Sequence, residues 1–292
     1  MYLRNIKWLL NCLFYAFAGT TTSANATVMA PEGQAASGNK NSRVEISFQK
    51  LKFNMIYIPK GVASIGCNQV SEKVNCTKFE TPQFNVEVAS FYMMETEVSV
   101  GLWHACVKEG ACKLTPADVS WHADDMPVVN VSWNEINSDF IPWLTNKTGV
   151  DFRLPTEYEW EYAAAAGEQK DYTWENEVVI HNASCANCGS QWDNKQPVPV
   201  KFFKANAFGL FNMLGNVAEW ASDCFERNHT WFIEKREKKT VCESHPIKGG
   251  AWVNATFVLV PHSRVEMGSD SRYEHIGFRL VADNINNLKV AK

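Results

Sequence analysis

Cysteines and histidines are the side chains with the most obvious chemical potential in this 292-residue chain, which carries nine of the first and seven of the second. Cys12 stands apart near the start; the other eight form four sequence-local couples, Cys67/Cys76, Cys106/Cys112, Cys185/Cys188 and Cys224/Cys242. An even set in an exported chain reads as disulfides, with the connectivity open. The sharper alternatives at Cys185-Ala186-Asn187-Cys188 are zinc and redox chemistry. One C-x-x-C without a second spaced pair is a weak zinc signal. A redox C-x-x-C opens a helix, whose dipole lowers the thiol pKa; here Gly189-Ser190 and a turn-rich segment follow, so structural disulfides are expected. The histidines are His104, His122, His181, His229, His245, His262 and His275. No two are three or four residues apart, the spacing that would align ligands on one helix face. No G-x-S-x-G motif is present. Late in the chain, Gly249 to Leu259 (GGAWVNATFVL) reads as a strand entering a packed site, yet it offers no nucleophile, acid or usual metal ligand.

The elements that must position these groups are short. Val44, Ile46 and Phe48 alternate with polar residues, as do Phe84, Val86 and Val88; Met55 to Ile58 before Pro59-Lys60-Gly61 reads as a strand ending in a turn. Phe91 to Met94 leads into Thr96-Glu97-Val98. Ser99 can cap a helix through Lys108, with Gly110 as the stop. Ser132-Trp133-Asn134-Glu135 is a capping box for a helix that Gly149 closes and Pro142 should kink. Thr156-Glu157-Tyr158-Glu159 is a second, opening an Ala-rich helix that ends at Gly167. Little regular structure per residue and 11 Trp predict a loop-rich α+β domain held by buried aromatics, disulfides or metal ions.

A net charge of −4 gives no electrostatic case for nucleic acid. Lys235 to Lys239 is basic, but Glu234 and Glu237 dilute it, so a solvated loop or hairpin tip is expected. Arg4 and Lys7, the apolar run Trp8 to Ala18 and Ala24-Asn25-Ala26 form a secretory signal peptide cleaved after Ala26. The run is too short to span a bilayer comfortably, so no membrane span is expected after cleavage. The organisation is then a signal at 1–26, a flexible leader at 27–42, one domain at 43–285 with no composition break, and a tail at 286–292. Asn75, Asn130, Asn146, Asn182 and Asn228 head N-x-S/T sequons, meaningful only in a eukaryotic secretory pathway; the expected location is periplasmic or extracellular.

Seven segments in order resemble the formylglycine-generating enzyme family, the sulfatase-modifying factors. They are Met55 to Pro59, Phe91 to Val98, Pro127 to Trp133, Arg153 to Ala163 (RLPTEYEWEYA), Phe208 to Trp220 (FGLFNMLGNVAEW), Lys248 to Trp252 and Gly277 to Leu280. The resemblance implies a single α+β domain distantly related to C-type lectins. It also implies a structural Ca²⁺ on the side chains of Asn212 and Glu219 and the carbonyls of Gly215 and Val217, a hard oxygen cage of the kind Ca²⁺ favours. A weaker second calcium site would fall at Ser184, Asp193 and Asn194, with Ser184 where the family has Asn. Arg153 to Ala163 is read as purely structural, with Trp160 and Tyr162 on opposite sides of its helix.

Catalytic members of the family oxidise a substrate cysteine to formylglycine with O₂ and copper(I), which two thiolates hold after the Gly-Gly pair; soft Cu(I) prefers sulfur. Those positions are Asn254 and Leu259 here. Ala251 replaces the usual serine, and Ala218 stands where a Trp is common. Copper chemistry is therefore not expected. An iron site on His262, His275 and Glu266 or Glu274, by analogy with iron-dependent relatives, is not expected either. The implied function is a non-catalytic exported binding, maturation or accessory protein with a protein or peptide partner, its old cleft filled by Phe257 and Leu259. The alternatives are an oxidase of different chemistry, of the siderophore-maturation type, and lastly an active formylglycine-generating oxidase.

Overall fold

The computed structural model describes residues 43–68, 76–113, 121, 123–167, 182–233 and 241–286. The expected signal peptide and leader, the basic cluster 235–239, Asn75, His122, His181 and the tail from residue 287 lie outside the described residues.

Three small sheets carry the strands. The first has the order β1-β2-β5-β10, from β1 (Arg43–Phe48), β2 (Leu51–Ile58), β5 (Phe91–Met94) and β10 (Val281–Ala282), all antiparallel. The alternation read at Val44, Ile46 and Phe48 is met, because those three side chains turn inward. A hairpin of β3 (Gly61–Ile65) and β4 (Phe84–Val88) forms the second. The third has the order β8-β7-β6-β9, from β6 (Ala218–Trp220), β7 (Ser244–Lys248), β8 (Arg264–Gly268) and β9 (Ile276–Gly277). Strands from both ends of the described chain thus form the two edges of one sheet, while the third sheet brings Glu219 opposite both Lys248 and Gly277.

The helices start where the capping residues stand. Ser99 caps α1 (Val100–Lys108) by accepting from the Leu102 N–H. Both capping boxes form, at Ser132 for α2 (Trp133–Glu135) and at Thr156 for α4 (Glu157–Ala165). Each cap contributes about 1 kcal/mol. Pro142 has no N–H to give, and the chain absorbs this with a π turn over Ile136–Phe140 before α3 (Ile141–Thr148) resumes. Gly149 ends α3 in the left-handed region, as expected; α4 ends one residue early, with Ala166 itself at φ 51°. A short α5 (Thr230–Ile233) completes the set. Trp103 stacks on Phe140 at 5.3 Å, and Phe278 meets Phe140 edge-on at 5.3 Å, so buried aromatics hold the main core as the composition suggested.

All four local cysteine couples are disulfides: Cys67–Cys76, Cys106–Cys112, Cys185–Cys188 and Cys224–Cys242. They fit an exported protein. Among the described residues, no helix is long and apolar enough to cross a membrane.

Candidate functional site

The stretch Gly249 to Leu259 is not the strand its composition suggests. Strand β7 stops at Lys248, and Gly249 and Gly250 follow with φ of +86° and +68°, which no extended run of L-residues continues. A methyl group on Gly249 would meet Trp160 Cζ2 at 2.9 Å, so the glycine is what lets the chain pass over that indole. Beyond it, Asn254 closes a turn: its Oδ1 accepts from the Ala251 N–H at 2.8 Å and its own N–H donates to the Ala251 carbonyl at 2.8 Å. The Asn254 carbonyl accepts from the Ala186 N–H at 2.7 Å, tying the loop to the Cys185–Cys188 segment. Thr256–Val258 then forms one 3₁₀ turn.

Leu259 is 1% exposed and packs with Ala183 and the Cys185–Cys188 disulfide. Phe257 does not join it. That side chain is 58% exposed, so the expectation that both would fill the cleft holds for Leu259 alone. The 3₁₀ turn places residues 257 and 259 on different sides, whereas a strand would have placed them on the same one. The loop therefore presents no thiol, and its two key positions are used for turn closure and packing.

Beneath the loop lie two buried charge networks, with Trp160 between them. Trp160 Nε1 donates to Glu219 Oε2 at 2.8 Å, while Lys248 Nζ sits 5.9 Å from the centre of the same ring. In the first network Arg279 is wholly buried and grips Glu219 with two bonds of 2.7 Å, and its Nη2 also reaches the Phe211 carbonyl at 2.8 Å. Glu97 takes Asn216 Nδ2 at 2.7 Å and Asn212 Nδ2 at 3.2 Å. Two carboxyl groups share one guanidinium, so the group carries a surplus negative charge when both are ionised. Burial pushes Glu97 up to about 7; Arg279 opposes this and Glu219 adds to it. Asn212, at φ 52°, keeps its Oδ1 buried without a hydrogen-bond partner.

An orphaned amide oxygen beside a surplus buried negative charge fits a hard cation, and Asn212 and Glu219 belong to the set Asn212, Gly215, Val217 and Glu219. In the weaker set the Ser184 Oγ is likewise buried without a hydrogen-bond partner. Asp193 accepts from Gly189 N–H at 2.7 Å and from Ser190 Oγ at 2.5 Å, closing its own turn, and the Ser184 carbonyl accepts from the Asn216 N–H. Asn194, also at positive φ, gives its N–H to the Trp252 carbonyl.

The second network rises from helix α4, whose Glu157, Trp160 and Glu161 share one face and are all buried. Glu157 pairs with Arg264, and Glu161 pairs with Lys248 at 3.1 Å and accepts from the Gly66 N–H at 2.7 Å. Burial would raise Glu157, but Arg264 and Lys248 hold it below the usual range; at Glu161 burial wins over Lys248 and the pKa is raised. His262 is pushed down to about 4 by burial, with Lys248 and His229 adding to it, so it is a neutral imidazole at pH 7. His262, His275, Glu266 and Glu274 form no ligand group. Among the described residues, the only three potential ligands that converge are Cys67, Glu80 and His262.

Sequence reasoning passed over Glu97, Arg279, Glu157 and Glu161. A Glu pair at i and i+4 with a Trp at i+3 was the signal for a buried acidic face, although the same pattern fits an exposed one. Trp160 and Tyr162 do face different neighbours, Glu219 and Gly249 for the first and the Pro59 carbonyl for the second.

The sulfatase-modifying factor enzyme 1-like domain matches residues 19–284 of this sequence. The chain belongs to that family. It is 30% identical over 183 residues to the formylglycine-generating enzyme of Mus musculus, covering 56% of this chain and 46% of the relative. It is 28% identical over 174 residues to the inactive C-alpha-formylglycine-generating enzyme 2 of the same species, covering 53% and 48%. The chain thus matches about half the length of these relatives. Among solved structures, PvdO from Pseudomonas aeruginosa superposes with a TM-score of 0.67 at 25% identity, over 79% of this chain and 94% of that one. The sulfatase-modifying factor fold is therefore shown, with few helices, mixed sheets and four disulfides on this chain.

Proposed function

We propose that this sulfatase-modifying factor relative is an exported binding, maturation or accessory protein without copper-dependent formylglycine-generating activity. The observation that carries the reading is the state of the loop after Gly249-Gly250. Asn254 spends its side chain on the Ala251 N–H, and Leu259 is packed against a disulfide, so no thiol pair faces a substrate. Oxidation of a substrate cysteine at copper needs soft sulfur ligands and a sulfur able to exchange with the substrate. An amide and an isobutyl group supply neither.

Asn212, Gly215, Val217 and Glu219 would hold a calcium ion as a structural brace. The ion would supply positive charge to a region with one guanidinium for two carboxylates, and it would give the Asn212 oxygen its missing partner. The Arg4 to Ala26 signal pattern and the four disulfides support export. The competing reading, an oxidase of different chemistry, calls for ionisable groups open to a pocket. The carboxylates and cations around Trp160 are buried and paired with each other instead. The deciding experiment incubates purified protein with a CxPxR-type peptide, copper and O₂. The peptide cysteine should remain unchanged by mass spectrometry, and its conversion to an aldehyde would overturn the reading.

A further inference from the structure

Cys67, Glu80 and His262 meet from three separate parts of the chain: the end of strand β3, the turn before β4, and the segment before β8. The Cys67 Sγ, a Glu80 carboxylate oxygen and a His262 ring nitrogen all lie within 4.8 Å of one another. Local backbone builds this convergence. The Cys67 N–H donates to the Glu80 carbonyl at 2.8 Å, and the Glu80 Oε2 is fixed by the Thr77 N–H at 2.8 Å, one residue past Cys76. Gly66, at φ +88°, has no room for a side chain: a methyl there would meet His229 Nδ1 at 2.5 Å and the Glu80 carbonyl at 2.6 Å. Glycine is what lets these groups close around Cys67.

The donor set is a sulfur, an imidazole and a carboxylate, the combination that zinc-class cations accept in tetrahedral sites. One bond stands against it, since Cys67 is joined to Cys76, and a neutral disulfide sulfur is a poor ligand. We infer that Cys67, Glu80 and His262 form a redox-gated site for a zinc-class divalent cation, closed by the Cys67–Cys76 disulfide and opened by a dithiol reductant. In the opening step the dithiol's two sulfurs pair as its own disulfide. Its two hydrogens pass to Cys67 and Cys76, and Cys67 gives its proton to water as the metal binds.

Charge supports this assignment. Glu80, Glu157 and Glu161 lie in the field of Lys248 and Arg264, and the buried Asp223 touches Glu157, so carboxyl groups outnumber cationic side chains around the site. Freeing the Cys67 thiolate adds a further negative group to this carboxyl-rich interior, which favours a divalent cation.

The test uses cobalt(II) as a spectroscopic stand-in for zinc. The Cys76→Ser variant leaves Cys67 unpaired while the other three disulfides stay oxidised. Without reductant it should take up one equivalent of cobalt with a near-ultraviolet thiolate-to-cobalt band that the oxidised wild type lacks. Adding Cys67→Ser should abolish the band. Adding His262→Ala should weaken binding by more than about 10-fold, the scale on which even outer-shell partners act. Wild type reduced with a phosphine, with opened disulfides mapped by mass spectrometry, guards against misfolding of the variant; it should gain the band as Cys67–Cys76 opens. The inference fails if neither preparation shows a thiolate band, or if the band survives Cys67→Ser or is indifferent to His262→Ala.

Discussion

Arg279→Met is the most informative single perturbation of the core, because Arg279 is the one guanidinium between two buried carboxylates. It is wholly buried, and its N–H groups serve Glu219 twice as well as the Phe211 carbonyl. Methionine keeps much of the stem's volume, so the loss is electrostatic rather than a large cavity. Removing one partner of a buried pair costs about 3–5 kcal/mol, since the remaining charge stays desolvated. For a domain of this size, each kcal/mol lowers Tm by about 2–4 °C, which puts the expected fall at about 6–20 °C. The assay is urea unfolding with thermal melts at pH 8 in the presence of a chelator. Glu97→Gln then supplies the second arm of a double-mutant cycle. With Glu97 neutral, Arg279→Met strands one carboxylate instead of two, so it should cost about 1–2 kcal/mol less than in wild type. A loss below about 1 kcal/mol for Arg279→Met, a surface-like value, would refute the reasoning. So would strict additivity of the two substitutions.

Other consequences follow from the same contacts. Glu97 holds its proton up to about pH 7 when folded, against an ordinary value of 4.5. Its stabilising contribution is thus full below about pH 4.5 and is lost as pH rises through 7. In chelator, urea midpoints should reveal about 3 kcal/mol of such loss, absent in Glu97→Gln. Leu259→Ala should cost about 2–5 kcal/mol by leaving a cavity against the Cys185–Cys188 disulfide, while Phe257→Ala should stay within about 0.5 kcal/mol; chemical denaturation of both variants checks the contrast. Calcium in excess over a chelator should raise Tm in wild type, and Asn212→Ala should erase that rise in a calorimetric scan.

What could be read from residue order was local or came from resemblance. The alternation at Val44, Ile46 and Phe48, the capping boxes at Ser132 and Thr156, and the four cysteine couples each depend on neighbours within a few positions. Such signals survive without knowledge of the rest of the fold. The family pattern across seven segments gave the fold and marked Asn254 and Leu259 as the altered positions. The shape of that loop was not legible. Its apolar run favoured a strand, but two consecutive glycines at positive φ and the Asn254–Ala251 turn broke it, and Phe257 went to solvent as a result. Nor could order alone show that Glu97, Glu157, Glu161 and Arg279 are interior groups, since charged residues are read as surface by default. Their burial depends on partners far along the chain: Arg279 lies 60 residues from Glu219, and Arg264 lies 107 from Glu157. Packing of the third sheet against helix α4 brings Arg264 to Glu157, and the pairing of β6 with β9 sets Arg279 beside Glu219. Coulombic compensation in a dry interior is a property of that three-dimensional arrangement, and no window of sequence contains it.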